Sequence, residues 1–244
     1  MIVLHESKII ALKARKVGGT SFEIALSKFA SAGSIITPIT KPDEEIRKAL
    51  GFRGPQNYKY SASDLRLWSK QQLITAIFDR KLPDKFYAHI SAAEAQSLLG
   101  HDQWSSYTKV AIIRNPFDSM VSSYFWDVKS PEGRARVSFE NYVLSRPEVI
   151  QWNNHVYKIK GDDVLDAVIR YEHLREDLEA LERHHPLLCG LAETFSTISA
   201  KSQWRPSSAN TEEMFAEAPR ALNVIRSICL DEIYRYGFSV PGMS

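Results

Sequence analysis

Cysteine is scarce in this 244-residue chain: only Cys189 and Cys229 are present, and they form no C-x-x-C pair. Such spacing excludes a disulfide framework and a cysteine-based zinc site, fits a reducing compartment, and marks both thiols as core residues. Long apolar runs are missing too, since no stretch approaches the roughly 18 uncharged residues that a membrane-spanning helix needs. The opening MIVLHESKIIALKARK is too broken by charge to serve as a signal peptide, so the expectation is a cytoplasmic protein with no membrane insertion. Charge of one sign is equally lacking, because 31 basic and 29 acidic residues leave a net charge of only +2. That balance argues against a nucleic-acid partner, which would call for a concentrated cationic face. Nor is there an internal repeat, or a low-complexity tract beyond a Ser/Pro-containing turn at 205–210. Metal-ligand spacing is absent among His5, His101, His155 and His173, while His184 and His185 diverge on a helix, so no metal is expected.

What is present suits one buried core: 44% hydrophobic and 11% aromatic content, with no composition shift, gives a single domain over 1–244. Short apolar runs at 8–12, 86–90, 110–113 and 167–171 read as strands. Apolar residues at helical spacing follow the first and third, at Phe22, Ala25, Leu26 and Phe29 and at Phe117, Val121, Tyr124 and Phe125. The second precedes a helix that Gly100 ends, and the fourth precedes a charged helix over 174–184. Further helices are expected near 43–50 and 64–79, and over 211–236 with a break at Pro219. Strands alternating with helices predict an α/β fold, a central parallel sheet covered by helices on both faces. Ligands of such sheets lie at the carboxyl ends of strands, so the loops after Leu12, Ile90, Ile113 and Tyr171 are expected to converge on one site.

The first of those loops carries the richest signal, Lys13-Ala14-Arg15-Lys16-Val17-Gly18-Gly19-Thr20-Ser21-Phe22-Glu23. Gly18 and Gly19 let backbone N–H groups approach an anion, the helix amino terminus adds partial positive charge, Thr20 and Ser21 offer hydroxyls, and Lys16 adds a full charge. Thr20 and Glu23 also fit a capping box, which makes Glu23 structural. The loop is no Walker A sequence, because lysine precedes the glycines rather than following them. A second motif, Arg114-Asn115-Pro116 with Ser122 eight residues past the arginine, places a bidentate phosphate fork at a strand end. Its hydroxyl lies about one and a half turns into the next helix.

Together these motifs resemble the PAPS-dependent sulfotransferases, of the carbohydrate-type branch. Arg15-Lys16-Val17-Gly18-Gly19-Thr20-Ser21 is similar to their 5′-phosphosulfate loop, P-K-[TV]-G-G-T-S, with Arg15 in place of proline. Arg114 and Ser122 match their 3′-phosphate segment. Val168-Ile169-Arg170-Tyr171-Glu172-His173-Leu174 and the ending from Asp231 to Phe238 extend the likeness. The resemblance implies a P-loop-like fold and 3′-phosphoadenosine 5′-phosphosulfate (PAPS) as sulfuryl donor, with release of 3′-phosphoadenosine 5′-phosphate (PAP). It also implies a saccharide or small-molecule acceptor. By the same analogy Tyr171 touches the adenine, against an equal reading of Tyr171 and Glu172 as packing and structural hydrogen bonding. Lys201 or Arg205 adds a second cation at the 3′-phosphate, against a reading of that segment as surface loop.

Sulfuryl transfer is an in-line displacement governed by positioning and charge, so Lys16 is expected to stabilise the departing bridging oxygen without a metal. For the base, His89 stands at the end of the predicted strand 86–90 with a suitable imidazole. Phe86-Tyr87-Ala88-His89-Ile90-Ser91 resembles the histidine-bearing strand end of uronosyl 2-O-sulfotransferases, which carry a second histidine that this chain lacks. Asp43, Glu44 or Glu45 is the rival base, and capping of the next helix is the structural alternative for His89. Tyr58, Tyr60, Trp68, Trp126 and Trp152 are divided between an acceptor pocket and the core. A phosphotransferase of related fold and a non-catalytic nucleotide-binding module are the competing functions. Sequence leaves the oligomeric state open.

Overall fold

The computed structural model describes residues 1–61, 64, 68–79, 81–129, 137–198 and 209–243. Two short strands, β1 (Ile2–Leu4) and β2 (Ile9–Ala11), form an antiparallel hairpin whose turn holds Lys8 at a φ of 52°. The chain then passes through helix α1 (Gly19–Ser27), strand β3 (Ile35–Ile36), and helices α2 (Lys41–Ala49), α3 (Lys70–Asp79), α4 (Ala92–Leu99) and α5 (His101–Ser106). Next come strand β4 (Thr108–Ile113) and helices α6 (Pro116–Lys129), α7 (Phe139–Ser145), α8 (Pro147–Ile150) and α9 (Asn154–Tyr157). A small ribbon of β5 (Lys158–Ile159) and β6 (Asp162–Asp163) precedes strand β7 (Ala167–Arg170). Helices α10 (Leu174–His184), α11 (Leu191–Ser196), α12 (Thr211–Ala216), α13 (Pro219–Ile228) and α14 (Leu230–Tyr236) complete the described chain.

The fold is α/β, and its five-stranded sheet has the order β3-β1-β2-β4-β7. β2, β4 and β7 run parallel, but β1 is antiparallel to both β2 and β3, so the sheet is mixed and not the parallel sheet expected. The difference is local: the β1–β2 turn is too short for a crossover, which a parallel pair requires. Residues 86–90 are not a strand either; they form a turn in which His89 has a φ of 61°. The expected helix at 64–79 starts only at Lys70, and the carboxyl-terminal helix breaks at Cys229 as well as before Pro219.

Apolar burial falls into two clusters. One surrounds the sheet and includes Ile2, Ile10, Ile24, Leu26, Val110, Ile112 and Ile169; the other is helical and joins α6, α7, α12, α13 and α14 through Phe117, Val121, Tyr142, Phe215, Ile225 and Ile233. Glu23 lies at the base of the first cluster, only 2% exposed. It receives hydrogen bonds from the Met1 amino group and from Lys13 Nζ. Burial alone would raise its carboxyl, but the two adjacent cations outweigh that and hold it down to about 2. The capping box is therefore not formed; Gly18 is the N-cap of α1, with no side-chain cap. Of the two thiols, Cys229 is buried and pushed up to about 12 by burial, whereas Cys189 is exposed.

Candidate functional site

Residues 13–18 link the end of β2 to α1, and three other segments close on them. From the end of β4, Arg114 Nη1 donates to the Lys16 carbonyl at 2.9 Å. From the turn before α4, His89 Nδ1 lies 2.9 Å from the Lys13 carbonyl. From the end of β7, Tyr171 packs so close that a β-carbon on Gly18 would stand 3.3 Å from its ring. The expected convergence is present in part: the segments after Leu12 and Ile113 and that at Tyr171 meet here, whereas the further contact comes from His89, in a turn before Ile90 and not in a loop after it.

The loop is shaped by backbone that side chains rarely tolerate. Lys16 and Gly18 both occupy the left-handed region, with φ of 64° and 76°. Gly19 has a different reason to be glycine, because a β-carbon there would meet Lys13 Cγ at 3.2 Å. Holding a lysine in the left-handed region costs on the order of 1 kcal/mol or more, and such strain gathers at functional sites. Beyond Gly18 the amino terminus of α1 is open: no acidic side chain lies in its first turn, and no side chain caps it. Its first N–H groups lack intrahelical acceptors and carry the positive end of the helix dipole. Thr20 and Ser21 are 9% and 7% exposed, and neither hydroxyl bonds to another described residue.

Helix α6 borders the loop through Trp126. Asn115 Oδ1 accepts from the Phe117 N–H and Pro116 occupies the first helical position, a standard helix start. The Asn115 N–H is bound by Glu172 at 2.8 Å, so the segment after β7 clamps the turn after β4. Asp118, Ser122 and Trp126 follow at four-residue intervals and form one stripe along α6. Arg114 pairs with Asp118 at 2.5 Å at one end, and Lys16 Nζ lies 3.9 Å from the Trp126 ring centroid at the other. Ser122 sits between them, with no hydrogen bond to another described residue.

Arg114 is heavily engaged. Besides Asp118 and the Lys16 carbonyl, its guanidinium covers the Tyr171 ring at 4.1 Å. Tyr171 packs on Arg114 and Gly18, and Glu172 accepts from the Asn115 N–H. Arg15 is exposed, its guanidinium 5.1 Å from the Trp152 ring, while Asn153 bonds both its N–H and its carbonyl, at 2.7 and 3.1 Å. A cavity of about 30 Å³ behind the loop is lined by Ala14, Val17, Arg114, Ser119, Ser123 and Asn153 among others. It has room for a water or two and none for a nucleotide.

His89 is the clearest titratable group. Burial pushes its imidazole down to about 4; the hydrogen bond to Lys13 opposes this, and the charges of Lys13 and Arg15 reinforce it. Since the Lys13 carbonyl only accepts, Nδ1 carries the proton and Nε2 keeps its lone pair. That Nε2 has no hydrogen-bond partner among the described residues. His155, 66 positions away in sequence, reaches the His89 carbonyl with its own Nε2 at 3.3 Å. Two of the three rival carboxylates are occupied locally. Asp43 accepts from Thr40 at 2.5 Å, Glu44 binds the Ile39 N–H and Arg47, and Glu45 is exposed on α2.

Lys201 and Arg205 lie outside the described residues. Sequence reasoning missed Asp118, Asn153 and His155 as neighbours of the site, and left Trp126 and Trp152 unassigned; only their distant partners place them there. No group of three or more metal-ligating side chains occurs among the described residues. No described helix is long and apolar enough to cross a membrane. No protein-family model matches the chain, and no curated protein sequence matches it.

Proposed function

We propose that this is a group-transfer enzyme that holds a phosphate-bearing nucleotide at the amino terminus of α1. The observation carrying the proposal is that one six-residue loop is held by two residues distant in sequence, Arg114 at the Lys16 carbonyl and His89 at the Lys13 carbonyl. That arrangement joins an anion cradle to a neutral base. The cradle fits phosphate chemistry through its open helix amino terminus, two hydroxyls without described partners, and glycines whose replacement would crowd Tyr171 and Lys13.

Within that class the proposed activity is sulfuryl transfer from PAPS to a hydroxyl or amine of a saccharide or small molecule. PAPS would supply an activated sulfuryl group, leaving PAP. Gly18, Gly19, Thr20 and Ser21 would hold the 5′-phosphate; Arg15 and Lys16 bring positive charge beside it. Arg114 and Ser122 are assigned to the 3′-phosphate, with Arg114 using N–H groups beyond those that Asp118 and Lys16 occupy. Lys16 is assigned to charge on the departing oxygen, and His89 Nε2 to the acceptor's proton. The neutral tautomer fixed by Lys13 supports that assignment, as does the local engagement of Asp43 and Glu44.

The test is to incubate the protein and PAPS with extracted cell metabolites and glycans, then search by mass spectrometry for a gain of one sulfuryl group. Products with the wild type and none with Lys16→Ala are expected. ATP- and magnesium-dependent phosphorylation instead would establish the phosphotransferase, and PAP binding with no product from any extract would establish a binding module.

A further inference from the structure

Helix α3 (Lys70–Asp79) is built by its own sequence and left without a core. Its start is a complete reciprocal cap: the Ser69 N–H donates to Gln72 Oε1 at 2.8 Å, and the Gln72 N–H donates to Ser69 Oγ at 3.2 Å. Yet none of its side chains with described exposure is buried. Ile74, Ile77 and Phe78 lie on one face at i, i+3 and i+4 and are 57%, 75% and 80% exposed. Leu82, just beyond the helix, adds 42% and Tyr87 adds 40%. Ten-residue helices are marginal in water without a packed apolar face, so this one lacks the contact that would stabilise it.

Charge indicates what supplies that contact. Residues 59–85 hold Lys59, Arg66, Lys70, Arg80, Lys81 and Lys85 against Asp64, Asp79 and Asp84, a formal +3, whereas the whole chain carries +2. The stretch of sequence that contains this exposed apolar helix is therefore net positive. A second copy docking face to face would bring two such positive segments together. An anionic surface with an apolar interior matches both features, since interfacial helices bury an apolar face below the headgroups while basic side chains bind the phosphates.

We infer that α3 and the segment to Leu82 dock this protein on anionic lipid bilayers, with Ile74, Ile77 and Phe78 entering the interface and Lys70 and Lys81 contacting headgroups. The inference does not depend on the sulfotransferase reading, because it rests on a different face and is read by a different assay.

The test is co-sedimentation of the full chain with vesicles of phosphatidylcholine alone and of phosphatidylcholine with phosphatidylserine. The wild type sediments with the anionic vesicles and not with the neutral ones, and added salt releases it. The doublet Ile77→Ser/Phe78→Ser and the doublet Lys70→Glu/Lys81→Glu each weaken binding by about tenfold or more, with circular dichroism and PAP-induced thermal shifts unchanged. Absence of sedimentation with anionic vesicles overturns the inference, as does wild-type binding by the apolar doublet. A dimer by light scattering that Ile77→Ser converts to monomer would assign the face to a second copy instead.

Discussion

His89 and Lys13 are joined by a hydrogen bond of 2.9 Å between the imidazole Nδ1 and the main-chain carbonyl, across 76 residues of sequence. The bond fixes the tautomer, so the basic nitrogen is Nε2 and its lone pair is available wherever the imidazole is neutral. With the imidazole pushed down to about 4, that condition holds throughout the physiological range.

The acid limb of turnover should therefore lie near pH 4 rather than near 6.5, provided the fold survives. The base must be unprotonated, so the rate is lost as pH falls through the folded value. His89→Ala should lower turnover on the order of 10²-fold while leaving PAP affinity within about twofold, the scatter expected for a site not contacted. Steady-state kinetics beside a binding titration checks both; wild-type turnover in the variant would move the role to Asp43, Glu44 or Glu45.

The same shift affects stability, with a definite sign. Unfolded His89 binds its proton near 6.5 and the folded residue only near 4, so between those values the unfolded state holds more protons. Its contribution makes the protein less stable as pH falls from 6.5 to 4 and levels off below that. Urea denaturation across this range should show a shallower decline in His89→Gln; an identical slope would contradict the burial of the ring.

Gly18 is held at a φ of 76° against the Tyr171 ring. Gly18→Ala should cost about 1–2 kcal/mol from backbone strain alone and should weaken PAP binding. Adding Tyr171→Ala should recover the part due to crowding and none of the part due to φ. Thermal denaturation of the single and double variants separates the two.

Glu23 balances two buried cations, and its carboxyl is held down to about 2. A lowered folded value means that its stabilisation is present above its ordinary range and lost only as pH falls through about 2. Glu23→Gln should destabilise the protein by about 3–5 kcal/mol, the usual cost of leaving a buried charge unpaired. Chemical denaturation at neutral pH measures it, and a loss under about 1 kcal/mol would mean that water reaches Lys13.

Much of this arrangement is readable from sequence because it is written locally. Near-continuous apolar runs give β2, β4 and β7 as parallel strands, and paired glycines before a helical pattern give the loop and α1. Strand β1 is less legible: its three residues are followed at once by His5 and Glu6, and its antiparallel pairing depends on a turn with Lys8 at positive φ. Glu23 misleads for a related reason. Its spacing from Thr20 mimics a cap, while its actual partners are Lys13 and the Met1 amino group. Residues 86–90 have the apolar character of a strand but turn at His89, since the Lys85 and Phe86 N–H groups are taken by the Tyr58 carbonyl. Trp126, Trp152, Asn153 and His155 carry no local signal, because only the folded chain brings them to Lys16, Arg15 and His89.

Calorimetric titration of the purified protein with PAP, without metal, tests the central claim most directly. The account predicts one saturable site per chain, weakened at least about tenfold by Arg114→Ala, since a charge-assisted hydrogen bond contributes about 1.5–3 kcal/mol. Lys16→Ala should chiefly lower turnover. No heat with PAP, together with a clear isotherm for ATP and magnesium, would contradict it.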